Sequence, residues 1–157
     1  MALALACSAG ALPWFADAQT RPLEQSGAYP KLDRSTDIAG PDANANGVRD
    51  DIEAWIAAQA LSESQKKALL QKARTLQQTL LASLDDKDAL QRAGEGLAAS
   101  FRCGMLQFPE YSDFSKLAGQ IEAMTANTRQ RAERYMKYNA ARSGSSTTNP
   151  RGNTCED

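Results

Sequence analysis

Apolar residues recur at intervals of three and four along most of the chain after residue 50. This spacing is typical of helices that bury one face, so it predicts a short helix over 52–61 and a long one from Ser62 to Leu84. Ser62 is a favourable N-cap, and Gln65 stands at the capping-box position that follows it. The pattern therefore predicts both the start of the long helix and its buried face.

Two further apolar runs follow. The acidic pair at 85–86 suits the N-terminus of a third helix, which Pro109 ends because proline cannot continue it. A fourth helix is predicted from near Ser112 to Gly144, with its apolar rhythm interrupted at Arg131. We therefore predict an all-α protein, a small helical bundle of three long helices and a shorter one.

The beginning of the chain has a different composition. Residues 1–18 start without charge, are rich in Ala and Leu, and end in an A-x-A sequence at 16–18. These features are typical of the apolar core and cleavage site of a signal peptide, and they predict an exported protein, periplasmic or extracellular. One alternative is a buried N-terminal helix, which Pro13 disfavours. A second alternative is a lipoprotein anchored at Cys7.

The remaining residues divide into three parts. Residues 19–41 are rich in Pro, Gly, Ser, Thr and Asp, so we expect an extended lead-in. Residues 42–143 hold a polar loop and the helical bundle, and residues 144–157 form an irregular Ser/Thr/Asn/Gly-rich tail. Apolar residues of the lead-in that are expected to pack on the bundle are Tyr29, Leu32 and Ile38.

Charge adds little to this picture. The chain has 157 residues, 18 basic and 19 acidic, and removal of the predicted signal segment with Asp17 leaves 18 of each. A neutral chain gives no electrostatic indication of nucleic-acid or membrane binding, and no apolar stretch predicts a transmembrane segment. Basic residues gather after residue 128, which we interpret as a solvated helix face, with an acidic partner or an anionic cell-surface polymer as the alternative.

Cysteine usage agrees with export. After cleavage at residue 18, two cysteines remain, Cys103 and Cys155. Because exported proteins fold in oxidising compartments, these two are predicted to form a disulfide that ties the tail to a helix. The alternative is a pair of free thiols in a cytosolic protein.

The segment 42–53 reads Asp-Ala-Asn-Ala-Asn-Gly-Val-Arg-Asp-Asp-Ile-Glu. It resembles the calcium loop of the EF-hand superfamily, and more closely the single extracellular loops of dockerins and thrombospondin type 3 repeats. The resemblance implies a Ca²⁺ cofactor with oxygen ligands from Asp42, Asn44, Asn46, Val48 through its main-chain carbonyl, Asp50 and Glu53.

Several features bear on how this loop would work. Gly47 supplies the sharp turn, and calcium is a hard cation that prefers oxygen ligands. Gly40 and Pro41 disfavour an entering helix, and Arg49 occupies a position that is aliphatic in paired EF-hands. These departures predict a structural site instead of a sensor. The alternative is a metal-free polar turn that caps the next helix.

We predict that the protein is not an enzyme. The chain contains no histidine, which excludes His-based nucleophilic triads and most zinc sites. Hydrolysis by a carboxylate pair remains the catalytic alternative, since it needs only two acids in a cleft. The predicted function is a calcium-binding exported protein. The alternative is a periplasmic protein–protein interaction module, of inhibitor or immunity type, in which calcium is incidental.

Overall fold

The computed structural model describes residues 13–156, with side chains from residue 17 onward. The helices of this part of the chain are α1 (Pro13–Gln25), α2 (Asp50–Ala57), α3 (Glu63–Leu81), α4 (Lys87–Gln107), α5 (Tyr111–Thr125) and α6 (Arg129–Ala141). The described residues contain no strand, so the all-α prediction is confirmed. None of these helices is long and apolar enough to cross a membrane.

Helix α3 is the centre of the bundle and packs against α2, α4, α5 and α6. Its capping box is formed as predicted, because Ser62 Oγ accepts from the Gln65 N–H at 3.3 Å and Gln65 Oε1 accepts from the Ser62 N–H at 3.0 Å. The helix ends at Leu81, before the predicted Leu84. Its buried apolar stripe consists of Leu69, Ala73, Leu76 and Leu80.

The aromatic part of the core is built around Phe114 of α5. Its ring lies edge-on to Phe101, with centroids 6.0 Å apart, and 5.5 Å from the ring of Phe108. A Cβ atom at Gly104 would stand 2.2 Å from Phe114 Cζ, so only glycine lets α4 approach this ring. Burying side chains of this size contributes about 1.5–3 kcal/mol each.

The prediction of a single last helix from Ser112 to Gly144 is wrong, because the chain turns between α5 and α6. Thr128 caps α6 by accepting from the Arg131 N–H at 3.3 Å. Arg131, at which the apolar rhythm is interrupted, is fully buried. The three- and four-residue spacing continues on both sides of the turn, which is why the pattern alone did not reveal it.

The extended lead-in predicted for 19–41 begins later than expected, because residues 19–25 belong to α1. This helix carries Pro22 on its exposed side, where the missing N–H removes one helical hydrogen bond. The irregular chain then packs on the bundle as predicted. Tyr29 is buried with its ring centroid 6.0 Å from that of Trp55, and Leu32 is buried beside it in the same core.

The predicted signal segment ends inside α1. Residues 1–12, including the alternative lipidation site Cys7, lie outside the described residues. Within the described part, Asp17 accepts a hydrogen bond of 2.7 Å from Arg34 of the lead-in. Cleavage after Ala18 would remove this carboxylate. Export and cleavage stay predictions.

The lead-in is fastened to α6 by Arg131. Its guanidinium donates to the Asp33 carbonyl at 2.7 Å, to Asp33 Oδ2 at 2.5 Å and to the Asp37 carbonyl at 2.8 Å. Burial raises the pKa of Asp33, but hydrogen bonds from Arg131 and Ser35 outweigh this effect and hold that pKa below its usual value. Arginine suits this position because its planar group carries five donors, enough to satisfy several carbonyls at once.

The basic residues after residue 128 form the predicted solvated face only in part, since Arg129 and Lys137 are exposed and others are bound within the chain. Besides the buried Arg131, Arg134 donates to the Leu80 carbonyl at the end of α3, at 2.7 Å. Arg142 lies beyond α6 and donates to Thr147 Oγ1 in the tail at 2.6 Å. These cations therefore satisfy backbone and tail acceptors within the chain.

Candidate metal centre

The segment 42–53 curls around its first residue. Asp42 Oδ1 accepts from the Asn46 N–H at 3.1 Å, and Asp42 Oδ2 accepts from the Gly47 N–H at 2.8 Å. Gly47 has a φ of +80°, a left-handed conformation that glycine adopts at no steric cost. The glycine of the motif therefore stands at a position that needs a left-handed backbone conformation.

Three of the predicted ligand side chains meet at the end of this curl. Asn44 Nδ2 lies 3.3 and 3.0 Å from the two carboxylate oxygens of Glu53, and Asn46 Nδ2 donates to Glu53 Oε1 at 2.8 Å. Glu53 belongs to the first turn of α2, so the helix carries its carboxylate back over the loop. The third, fifth and twelfth positions of the motif are thereby brought together.

The amide oxygens of these asparagines have acceptor capacity left. Asn44 Oδ1 accepts from the Asn46 N–H at 3.1 Å, and Asn46 Oδ1 accepts from the Val48 N–H at 2.8 Å. An amide oxygen has two lone pairs, so each retains one for a cation. Carboxylate and amide oxygens are the donors that calcium prefers. The residues present fit this ion.

The two other predicted ligands lie where the loop joins the fold. Asp50 Oδ1 accepts from the Ala43 N–H at 2.9 Å, and the Asp50 N–H donates to the Pro41 carbonyl at 2.9 Å. Asp50 thus ties the start of the loop to the start of α2. The Val48 side chain is fully buried in the core, which leaves only its main chain for the loop.

The described residues contain no group of three or more His, Cys, Asp and Glu side chains that could hold a metal ion. In the loop, two of the side chains that meet are the amides of Asn44 and Asn46. The candidate centre is therefore a mixed amide and carboxylate site, and its formal negative charge is low. Low ligand charge weakens calcium binding.

Arg49 anchors the loop, a role that the sequence did not reveal. It is fully buried, with Nε 2.6 Å from Asp51 Oδ1, Nη2 3.0 Å from the Met124 carbonyl and Nη1 3.3 Å from Asn127 Oδ1. Burial lowers the pKa of Arg49, and the Asp51 carboxylate opposes that shift. The only signal in the sequence was an arginine at a position that is aliphatic in paired EF-hands. Its role is to dock the loop on the corner between α5 and α6.

Arg74 of α3 supports the loop from the other side. Its Nε donates to the Asn46 carbonyl at 2.7 Å, and its Nη1 pairs with the Glu156 carboxylate of the tail. Its aliphatic stem covers Gly47 so closely that a Cβ there would lie 3.1 Å from Arg74 Cγ. No sequence pattern linked Arg74 to the loop, since 28 residues separate it from Asn46.

The disulfide partners are placed as predicted. Cys103 Sγ and Cys155 Sγ lie at bonding distance, 2.07 Å apart. Cys103 is buried in α4, so the bond holds the end of the irregular tail against the bundle. Thr154 strengthens this attachment by donating to the Ala99 carbonyl at 2.7 Å.

Comparisons with known proteins add no family to this description. No protein-family model matches the chain, and neither the curated proteins nor the solved structures give a match. The interpretation of the loop as a metal site therefore depends on its motif and on the contacts described above.

Proposed function

We propose that the protein is an exported calcium-binding helical protein in which segment 42–53 holds one structural calcium ion. The observation that carries this proposal is the meeting of Asn44, Asn46 and Glu53, whose side chains come together without forming part of the core. A metal-free capping turn needs only the first residues of α2, whereas these side chains come from the third, fifth and twelfth positions of the motif.

Each ligand has a separate task in this proposal. Asp42 fixes the turn and offers a carboxylate, Asn44 and Asn46 offer amide oxygens, and Glu53 closes the shell from α2. Val48 contributes its carbonyl, and Asp50 stands at the ninth position of the motif, where EF-hand loops often bind through a water. When bound, the ion supplies the positive charge that draws these oxygens together.

A structural role is favoured over a switch because the loop is held on two sides. Arg49 fastens it to α5, and Arg74 fastens it to α3. A calcium sensor must shift helices and expose an apolar groove. Helix α2 instead buries Ile52, Trp55 and Ile56 in the core already. Calcium at ten to a hundred times Kd would stabilise this fold by about 1–3 kcal/mol.

The test is a calorimetric titration of the mature protein with calcium, beside thermal unfolding with and without the ion. We expect a Kd of about 10⁻⁴ M, in the range of extracellular sites, because two ligands are neutral amides. Glu53→Gln should weaken binding at least about tenfold by removing a carboxylate ligand. Glu63→Gln, an equal charge change on the exposed start of α3, is the control. No heat and no stabilisation at millimolar calcium would refute the proposal.

The second candidate is a protein–protein interaction module. It is favoured by three exposed apolar side chains at the corner between α4 and α5, namely Met105, Leu106 and Tyr111. Exposed apolar patches of this kind mark interaction sites more often than isolated apolar residues do. Pull-down from periplasmic extract with the wild type and with Leu106→Ser would test it. A partner retained equally by both proteins, or no partner at all, would count against this surface.

A further inference from the structure

We propose that the Cys103–Cys155 disulfide sets the calcium affinity of segment 42–53 through an ion pair between Glu156 and Arg74. This inference rests on the proposed calcium function and adds a regulation to the same site. Arg74 and Glu156 are positioning residues here, since neither is a ligand.

The tail is ordered where it reaches α3. Gln71 Nε2 donates to the Thr154 carbonyl at 2.8 Å, and Gln71 Oε1 accepts from the Glu156 N–H at 3.3 Å. Thr154 is held from α4 by its hydrogen bond to Ala99, and Cys155 is held there by its bond to Cys103. The backbone of Glu156 is thus fixed between the two helices.

The disulfide is what keeps this arrangement together. The tail before it, 144–153, is irregular and mostly exposed, so it contributes little burial of its own. A free chain of that length pays conformational entropy to bring its end to one place. The covalent bond next to Glu156 removes most of that cost, so the carboxylate stays within reach of Arg74.

Arg74 transmits the effect to the loop. Its Nε holds the Asn46 carbonyl at 2.7 Å, and its stem packs against Gly47. A guanidinium so close to a calcium loop repels the divalent cation unless an anion compensates it. Glu156 provides that compensation. When the tail leaves, Arg74 stays bonded to the Asn46 carbonyl with its charge uncompensated, so it repels the cation.

The redox step itself is a thiol–disulfide exchange. A dithiol reductant gives two electrons and two protons to the Cys103–Cys155 bond, which becomes two thiols while the dithiol closes to its own disulfide. Because linkage is reciprocal, a bond whose loss weakens calcium binding is itself harder to reduce when calcium is bound, by the same factor.

The experiment is a calcium titration of oxidised and dithiol-reduced wild type and of oxidised and reduced Glu156→Gln. Reduction should weaken wild-type binding about three- to fivefold, a size consistent with a partly exposed pair. Oxidised Glu156→Gln should show the same weakening, and its reduction should add nothing further. Glu133→Gln removes the same charge from the Arg129–Glu133 surface pair on α6 and should behave as wild type.

A second measurement uses the disulfide itself. Calcium should lower the midpoint potential of the wild-type pair by about 15–20 mV, the equivalent of a three- to fivefold affinity change. The same calcium addition should leave the potential of Glu156→Gln unchanged. If reduced protein loses its helical circular dichroism, the comparison of oxidised Glu156→Gln with oxidised Glu133→Gln decides the matter, because both are folded.

The outcomes separate the two proposals. If oxidised wild type binds no calcium, the proposed function fails and the coupling fails with it. If it binds calcium and Glu156→Gln binds equally well, only the coupling is wrong. Reduction that weakens Glu156→Gln as much as wild type would also overturn it, because the effect would then bypass the Arg74 pair.

Discussion

Arg131 and Asp33 form a hydrogen-bonded ion pair of 2.5 Å across 98 residues of sequence. The arginine is fully buried, and the aspartate belongs to the lead-in that precedes segment 42–53. This pair, together with the carbonyls that surround the guanidinium, places the lead-in on the bundle.

Asp33→Asn should therefore lower the free energy of unfolding by about 3 kcal/mol, because it leaves a buried guanidinium without its carboxylate. The pKa of Asp33 is held below its usual value, so the contribution is present above about pH 4 and is lost as the pH falls through the folded-state pKa. Denaturant unfolding between pH 2 and 7 measures it. Asp85→Asn, an exposed carboxyl between α3 and α4, is the control. Equal loss in both variants would contradict the prediction.

Lys72 of α3 predicts a second rise of stability with pH, in an alkaline window. Its side chain is 2% exposed, with Nζ 4.0 Å from the centre of the Phe101 ring, and burial lowers its pKa to about 8 against the opposing charge of Glu122. Between about pH 8 and 10 the folded state has lost this proton while the unfolded state still binds it, so stability rises with pH.

The free energy of unfolding should rise by about 3 kcal/mol in total, because the pKa of Lys72 is about 8 in the folded state and about 10.5 in the unfolded state. Lys72→Met should abolish the rise, and Lys67→Met, on the exposed side of the same helix, should keep it. Chemical denaturation at pH 7, 8, 9 and 10 provides the comparison. A wild type whose stability is flat over this range would show that Lys72 is not buried as described.

Two glycines give a matched test of the helix packing. Gly104→Ala should destabilise the protein by about 1–3 kcal/mol, because the new methyl group would collide with the Phe114 ring. Gly119→Ala meets nothing within 4 Å and lies in a helix, so it should stabilise by about 0.5–1 kcal/mol. Thermal unfolding of both variants measures the difference. Similar effects of the two substitutions would contradict the close approach of α4 and α5.

Ala45 carries the backbone strain of the loop. It is the non-glycine residue with a positive φ, +54°, among the described residues. Ala45→Gly should stabilise the calcium-free protein by about 0.5–1 kcal/mol, since the left-handed conformation costs an alanine about 1–2 kcal/mol. Ala43→Gly, on the same loop without a positive φ, should be neutral or destabilising. Stabilisation by both substitutions would contradict the prediction.

The sequence predicted the parts of this structure that depend on local patterns. The capping box of Ser62, the stripe of α3 and the glycine turn of the loop follow from residues close together in the chain. The turn between α5 and α6 was missed because the three- and four-residue spacing continues on both sides of it. The roles of Arg131, Arg49 and Arg74 were missed because their hydrogen-bond acceptors come from distant segments. Hydrogen bonds between a buried arginine and a distant segment leave no periodic pattern in the sequence.

The proposed convergence of Asn44, Asn46 and Glu53 on calcium is tested by an NMR titration of the asparagine side-chain amides. Calcium should replace the hydrogen bonds from Asn44 and Asn46 to Glu53 by ligand bonds from the amide oxygens. Their amide resonances should therefore shift together, with a midpoint at a calcium concentration of about 10⁻⁴ M. The amide of Asn127, bound to the Asp33 carbonyl, should stay unchanged. Unshifted resonances of Asn44 and Asn46 at millimolar calcium would contradict the claim.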